Sequence, residues 1–532
     1  MRRFRSASKL LLAATLFALP TLGLAPSQPT VVTTDGPIAG FHRDGVVQFR
    51  GIPYAAPPVG PLRWRPPQPH AKWNATLDAV SFGDTCVQNQ PGLFAKPSLT
   101  EDCLYLNVYA PENYATKPEH RGVLVWFYGG AMTAGESNDY DGTKLAKMGD
   151  TVVVTVNFRV GYLGFFAQAA LDAEGHAFGN YGTMDQQFAL RWIQRNIAKF
   201  GGDPKRVTIF GQSGGATAVM TNLVSPTAAG LFQRLINESG THITATPLPA
   251  AEARGATLVT KAGCAQAADA MQCMRALTPL QILSLGLPTP NFFVQDGRII
   301  TGDPYEQYKA GTFNHVPIMT GLVADEQAFF LPEISGGPPV PLTVSDLNDF
   351  INSFGAANVA GINKVYPLES YPSPSEDEIA IAEGSKACIA RTFDREWSQY
   401  VPVYAYRFDD ETAPSYFPPV SYPTRAFHTS ELEYLFVLFH GGQGTPHPLN
   451  AAQTHLSDQM VAYWTTFART GNPNNAMDPR WQPYSAASDD VLSLRRPKPQ
   501  MMTGYGSQNT LPHHMHNACS LWDQIPLTGA RG

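Results

Sequence analysis

The apolar run VTIF at 207–210 is followed at once by Gly211, Gln212, Ser213, Gly214 and Gly215, and then by ATAVMTNLV, which can run as a helix. A strand that turns sharply into a helix forces the residue between them into a strained, exposed backbone position. Glycines two before and two after leave room for that turn. Ser213 then points outward as a nucleophile, and the amide of Gly214 sits at a helix N-terminus, where a developing oxyanion is stabilised. A glycine-rich turn holding an ordinary serine would carry the same letters; the strand before and the helix after favour the reactive serine.

A hydroxyl attacks poorly until a base takes its proton, and in this setting an acid and then a histidine are expected further along the chain. After VPIMTG at 316–321 come Leu322, Val323, Ala324, Asp325 and Glu326, which puts a carboxylate at a strand's C-terminal end, where active groups gather in open α/β sheets. Periodicity does not choose between Asp325 and Glu326. Downstream, AFHTSELEYLF places His428 in a loop just ahead of an apolar segment, while His440 lies a turn or more inside it. His428 is the better base on position. The loop after VLVWFY at 123–128 holds Gly129, Gly130, Ala131 and Met132, small residues that let backbone amides approach a substrate carbonyl. Chemistry that depends on a neutral imidazole is expected to rise with pH through roughly 6 to 7.

These groups need a scaffold. Short apolar runs recur at 123–128, 151–157, 207–210, 316–321 and 403–408, which reads as strands buried on both faces of a mostly parallel sheet. Between the second and third lies MDQQFALRWIQRNIAKF, with Met184, Phe188, Trp192, Ile193, Ile197 and Phe200 on one stripe and Gly201 and Gly202 as a stop. Strand, helix, strand in that order predicts an α/β fold with a central sheet flanked by helices and right-handed crossovers. From about 330 to 400 the pattern weakens, and PEISGGPPVPL and YPLESYPSPSEDE read as irregular loops around short helices inserted at one sheet edge.

Composition sets the outer limits. The chain has 532 residues, 43% hydrophobic and only 15% charged, which excludes a disordered chain. Its 46 glycines and 45 prolines, spread without period, exclude collagen-like and low-complexity chains. Arg2, Arg3, Arg5 and Lys9 precede an apolar run to about Leu24, and Gly23, Leu24 and Ala25 follow as small-residue cleavage signals. Residues 1–25 therefore read as a secretory leader rather than an anchor, leaving 26–532 as a single domain and a secreted or periplasmic protein. Losing four cations takes the formal charge from −6 to about −10, so nucleic acid is excluded as an expected partner. No stable membrane anchor is expected either. Six cysteines in a chain bound for an oxidising compartment favour three disulfides over metal ligation. Fifteen pairings are open on number alone; the close pairs Cys86 with Cys103 and Cys264 with Cys273 would make Cys388 with Cys519 the natural remainder. His513, His514 and His516 near Cys519 read as a solvated loop, so no metal is expected. Asn74–Thr76 and Asn237–Ser239 are glycosylation sequons.

FRGIPYAAPPVGPLRW at 49–64, EDCLYLNV at 101–108, YGGA at 128–131, NFRVGYLGF at 157–165 and the long block 179–215, with ADEQAFF and FHTSELEYLF, make the chain resemble the type B carboxylesterase and cholinesterase family of α/β hydrolases. The resemblance implies the α/β-hydrolase fold and a serine esterase that cleaves small carboxylic esters without a cofactor. It implies Ser213 as nucleophile, Glu326 rather than Asp325 as acid and His428 as base, with the amides of Gly130, Ala131 and Gly214 as oxyanion hole. It also implies the same three disulfides, and Ser239 as a serine behind the triad. A lipase or peptidase on the same fold, or an adhesion module, remain the rival expectations. Four departures bear on substrate and site: Gln212 replaces a glutamate before the nucleophile; the segment between Cys86 and Cys103 is too short for a choline-stacking tryptophan; Thr289 and Asn291 stand where cholinesterases carry acyl-pocket phenylalanines; and Gln327 replaces a glycine after the acid. A cationic choline site is not expected, the acyl side is expected to be roomier, and Gln327 is expected to be tolerated because only the carboxylate direction matters.

Overall fold

The computed structural model describes residues 28–89, 96–116, 121–241, 243–286, 293–337, 340–504 and 518–526. The leader, Thr289, Asn291, His513, His514 and His516 lie outside them. Within the described residues the apolar runs become the middle of an eleven-stranded sheet. In chain order its strands are β1 (Phe41–Arg43), β2 (Val46–Pro53), β3 (Tyr105–Pro111), β4 (Arg121–Phe127), β5 (Val152–Val156), β6 (Gly202–Gln212), β7 (Arg234–Glu238), β8 (Ile318–Val323), β9 (Val403–Phe408), β10 (Val491–Leu494) and β11 (Gln500–Met502). Across the sheet they run β11-β10-β9-β8-β7-β6-β4-β5-β3-β2-β1. From β10 to β5 all neighbours are parallel, and antiparallel strands finish both edges. The parallel strands β4, β5 and β8 are buried at every residue, the continuous apolar burial that helices on both faces require.

Chain order reverses around β4: the chain leaves β4 for β5 on one side and returns through β6 on the other. Such a reversal opens a crevice at the strands' C-terminal ends. Register fixes which residues meet there. Phe127 of β4 pairs with Gly211 of β6, Glu238 of β7 with Gln212, and Gly321 of β8 with Glu238. The turns after four neighbouring strands therefore leave the sheet at one level, carrying Gly129–Met132, Ser213, Ser239 and Asp325–Glu326.

Helix α1 (Tyr181–Asn196) continues as a 3-10 turn to Phe200, where Gly201 at φ 82° turns the chain straight into β6. That left-handed glycine is the stop the sequence pattern placed there, and it makes β6 start earlier than its apolar run. Helix α2 (Gly214–Val224) begins directly after Ser213.

From 330 to 373 the segment is, as expected, loops around short helices (Pro332–Ser335, Val344–Ser353 and Val359–Val365). It departs from expectation in α3 (Pro374–Trp397), 24 residues long, capped by Ser373, whose side chain accepts from the Glu376 amide. It is buried around most of its circumference, with Glu376, Asp377, Glu378 and Glu383 inside. An acid-rich helix buried on several faces shows no apolar stripe, so periodicity had nothing to register. Helix α4 (Ala451–Thr470) packs on the opposite side, with Trp464 fully buried.

Three disulfides join Cys86 to Cys103, Cys264 to Cys273 and Cys388 to Cys519, with Cα separations of 4.9, 5.6 and 5.4 Å. The third ties α3 to the C-terminal segment across 131 positions. Among the described residues no helix is long and apolar enough to cross a membrane.

Candidate active site

Ser213 sits between β6 and α2 at φ 57°, ψ −122°, a backbone that L residues rarely adopt and that persists only when its surroundings enforce it. Its amide donates to the Glu238 carbonyl at 2.9 Å, and its carbonyl accepts from Thr217 at 3.0 Å. The flanking glycines are sterically required: a Cβ on Gly215 would lie 1.9 Å from the Phe127 carbonyl oxygen, and one on Gly211 2.5 Å from the Gly215 backbone.

The loop after β4 curls over this turn through three consecutive positive φ angles, 107° at Gly130, 52° at Ala131 and 59° at Met132. It approaches so closely that a Cβ on Gly214 would lie 2.8 Å from the Ala131 nitrogen. Among the described residues no protein acceptor takes the amides of Gly130, Ala131 or Gly214. Donors converging without partners beside a serine suit an oxygen that becomes negative.

The acid and base turns are registered by a short parallel bridge between Asp325 and Phe427, reinforced by the Asp325 amide donating to Ala426 at 2.9 Å. This bridge separates the two candidate acids. Asp325 turns inward, accepts from the Ala426 amide at 3.3 Å and faces Arg425 at 3.7 Å. Burial pushes its carboxyl up to about 7, against the opposing pull of Arg425 and Arg407. Glu326 turns the other way: one oxygen accepts from the Val323 amide at 3.2 Å and the other meets Nδ1 of His428. Burial raises the Glu326 carboxyl, but the charge and hydrogen bond of His428, the Lys386 ammonium and the Ser239 hydroxyl outweigh it and hold it below the usual carboxylate range. His440 lies elsewhere, 3.5 Å from Asp139, whose carboxyl burial lifts to about 7.

His428 is 4% exposed, with the Phe330 ring 4.8 Å away. The Gln212 amide nitrogen lies 3.2 Å from its Nε2 and 3.4 Å from its Nδ1. Among the described residues the Ser213 hydroxyl makes no hydrogen bond, so the structure joins Glu326 to His428 and brings Gln212 against the imidazole, while a Ser213–His428 bond is not formed. Such bonds are often long in unliganded enzymes and tighten around substrate. Ser239, also at positive φ (57°), donates its amide to the Gly321 carbonyl at 2.7 Å behind the acid.

Sequence reasoning missed the acids packed around this centre. Glu238 ends β7 and accepts from Nε1 of Trp464 at 2.6 Å, and burial raises its carboxyl to about 8 although that bond pulls it down. Glu431, fully buried, is held well above the ordinary range by burial and by the charges of Glu326 and Glu238, against the Gln212 amide. Its position three residues after His428 was the available signal. Among the described residues no three His, Cys, Asp or Glu side chains are gathered as a metal would need. A small pocket lined by Tyr162, Phe166 and Arg254 includes none of Ser213, Glu326 and His428 in its walls.

The chain matches the profile of the carboxylesterase family over residues 27–360 and 380–511. It is 33% identical over 490 residues to acylcarnitine hydrolase of Mus musculus, covering 85% of this chain and 83% of that protein. It is 32% identical over 490 residues to cocaine esterase of Homo sapiens, with 85% and 84% covered. A solved PNB esterase superposes with a TM-score of 0.75 at 28% identity, covering 90% of this chain and 97% of that one, and a thermophilic PNB esterase with 0.74 at 29%, covering 90% and 98%. A parallel sheet reversing its order at β4, an elbow serine after β6 and agreement over this much sequence have one common meaning: the chain belongs to the carboxylesterase family and has the α/β-hydrolase fold.

Proposed function

We propose that this protein hydrolyses small carboxylic esters through Ser213, His428 and Glu326. Family membership supports the ester chemistry, and the observation that carries the assignment of residues is the strained elbow of Ser213 with the Glu326–His428 contact beside it.

His428 takes the proton of Ser213 as the serine oxygen bonds to the ester carbonyl carbon. The carbonyl oxygen becomes an anion held by the amides of Gly130, Ala131 and Gly214. The imidazolium is oriented and stabilised by Glu326, which keeps its own negative charge. The carbon–oxygen bond to the alcohol breaks, and the proton on His428 goes to the departing alkoxide. Water then repeats the sequence on the acyl-serine: His428 takes a water proton, the hydroxide adds to the carbonyl, and the acid leaves as Ser213 recovers its proton. Gln212 and Ser239 support the base and the acid from behind.

Residues 1–25 act as a secretory leader in this reading, and 26–532 work as one domain outside the cytoplasm. The three disulfides suit such a compartment. The direct test is turnover of a nitrophenyl ester by wild type and Ser213→Ala: the variant is expected to lose all but a trace, with wild-type activity insensitive to chelators. Turnover that survives the substitution, or that a chelator abolishes, would overturn the assignment.

A further inference from the structure

Glu326 must stay ionised to orient and stabilise an imidazolium, yet it lies among groups that oppose its charge. Glu383 and Glu431 both feel it electrostatically, the Tyr406 hydroxyl lies within its field, and Asp325 acts on Glu383 from the other side. All of these side chains are buried. Two cationic groups oppose them at Glu326: the imidazole of His428, which changes charge during the reaction, and the ammonium of Lys386, which does not.

Lys386 stands on α3, and a single residue of the acid turn fixes it there. Gln327 turns three of its polar groups toward three different side chains of that helix. Its backbone amide donates to Glu383 at 2.8 Å, its side-chain amide nitrogen donates to Glu378 at 3.0 Å, and its side-chain oxygen accepts from Nζ of Lys386 at 3.1 Å. The same ammonium lies 4.9 Å from the centre of the Phe330 ring, and that ring packs 4.8 Å from His428. The cation thus meets the acid turn from one side and the aromatic wall of the base from the other. A glycine at 327 could make only the backbone bond to Glu383. It would leave Lys386 without its 3.1 Å acceptor on the turn that carries the acid. Position 327 is one of the departures from the family pattern named above, and this one supplies that acceptor.

We propose that Lys386, anchored by Gln327, is a positioning residue for the acid of the triad: its ammonium supplies the fixed positive charge against which Glu326 is oriented, and the clamp holds the acid turn on α3. This rests on the reading of Ser213, His428 and Glu326 as a triad. A merely structural contact of Lys386 with Gln327 and Phe330 would affect folding and leave the titration of the active centre alone.

The sign of the effect on that titration follows from charge. Removing the ammonium withdraws attraction from the Glu326 carboxylate and repulsion from the His428 imidazolium. Both changes let the coupled pair keep its proton to higher pH. The acid limb of the kcat/KM profile therefore moves upward when the charge is lost and stays when it is kept.

The experiment compares kcat/KM against pH, with a neutral nitrophenyl ester, for wild type, Lys386→Met, Lys386→Arg and Gln327→Ala, after titration of each protein with a serine-directed phosphonate to count reactive Ser213. The limb of Lys386→Met is expected to move up by about one pH unit, that of Lys386→Arg to coincide with wild type, and that of Gln327→Ala to move in the same direction by less. Gln327→Ala is also expected to lower kcat about two- to tenfold with KM unchanged. If Lys386→Met does not fold, the Gln327→Ala profile decides. Phosphonate-labelled variants whose limbs coincide with wild type would overturn the clamp and leave the triad standing. A wild type in which the phosphonate does not label Ser213 would overturn the triad, and the clamp with it.

Discussion

Two turns at the same edge of the sheet, one after β6 and one after β8 with β7 between them, hold the proposed nucleophile and acid by different physics. At the nucleophile turn the constraint is backbone against backbone: a positive φ at Ser213, glycines with no room for a Cβ, and a second loop pressed against Gly214. At the acid turn the constraint is carried by side chains and charges, with Gln327 bonded to Glu378, Glu383 and Lys386, and Glu326 bonded to His428. The first arrangement tolerates almost no substitution at its flanks. The second spreads its support over several residues, each of which matters less.

This contrast can be broken in order of effect. His428→Ala or Glu326→Ala removes a group both turns serve, and kcat for an ester is expected to fall by about 10⁴-fold for the histidine and less for the acid, with KM little changed. Steady-state kinetics checks this; equal losses of a few-fold would place the base elsewhere. Gly215→Ala tests the backbone-held turn, because a methyl 1.9 Å from the Phe127 carbonyl oxygen must displace main chain. A loss of about 3 kcal/mol or more is expected by denaturant unfolding, with activity falling alongside.

Glu383→Ala tests the side-chain-held turn. It leaves the Gln327 amide without its 2.8 Å acceptor and is expected to cost about 1–3 kcal/mol, whereas Glu383→Gln keeps an acceptor and costs little. A Glu383→Ala loss as large as that of Gly215→Ala would erase the distinction between the turns. The narrowest effect, confined to one pH window, concerns Glu238, whose carboxyl is raised to about 8 by burial. Between the ordinary carboxylate range and pH 8 the folded protein binds a proton there that the unfolded chain does not, so this group's contribution to stability is lost as pH rises through about 8. Glu238→Gln keeps an acceptor for Trp464 and is expected to flatten that decline, raising the melting temperature above wild type at pH 8 but not at pH 4.

The same contrast explains what the sequence disclosed. Where backbone sterics demand glycine, the letters carry the geometry: the GQSGG turn after VTIF and the glycine stop at 201 are both legible. The buried parallel strands are legible too, because burial on two faces leaves an unbroken apolar run. Asp325 and Glu326 could not be separated by pattern, since what divides them is a bridge to Phe427, more than a hundred positions away. Helix α3 was hidden because its buried acids find partners in other elements, Glu376 with Arg425 and Glu378 with Gln327. Gln327 looked like a neutral replacement for a glycine; its part depends on a helix that the sequence pattern did not reveal.

Mapping the adduct of a serine-directed phosphonate tests the central claim most directly. One adduct per chain is expected, on the peptide containing Ser213, formed in step with the loss of ester turnover and absent from both Ser213→Ala and His428→Ala. An adduct on any other serine that accounts for the lost turnover, or full labelling of the His428→Ala protein at the wild-type rate, would contradict it.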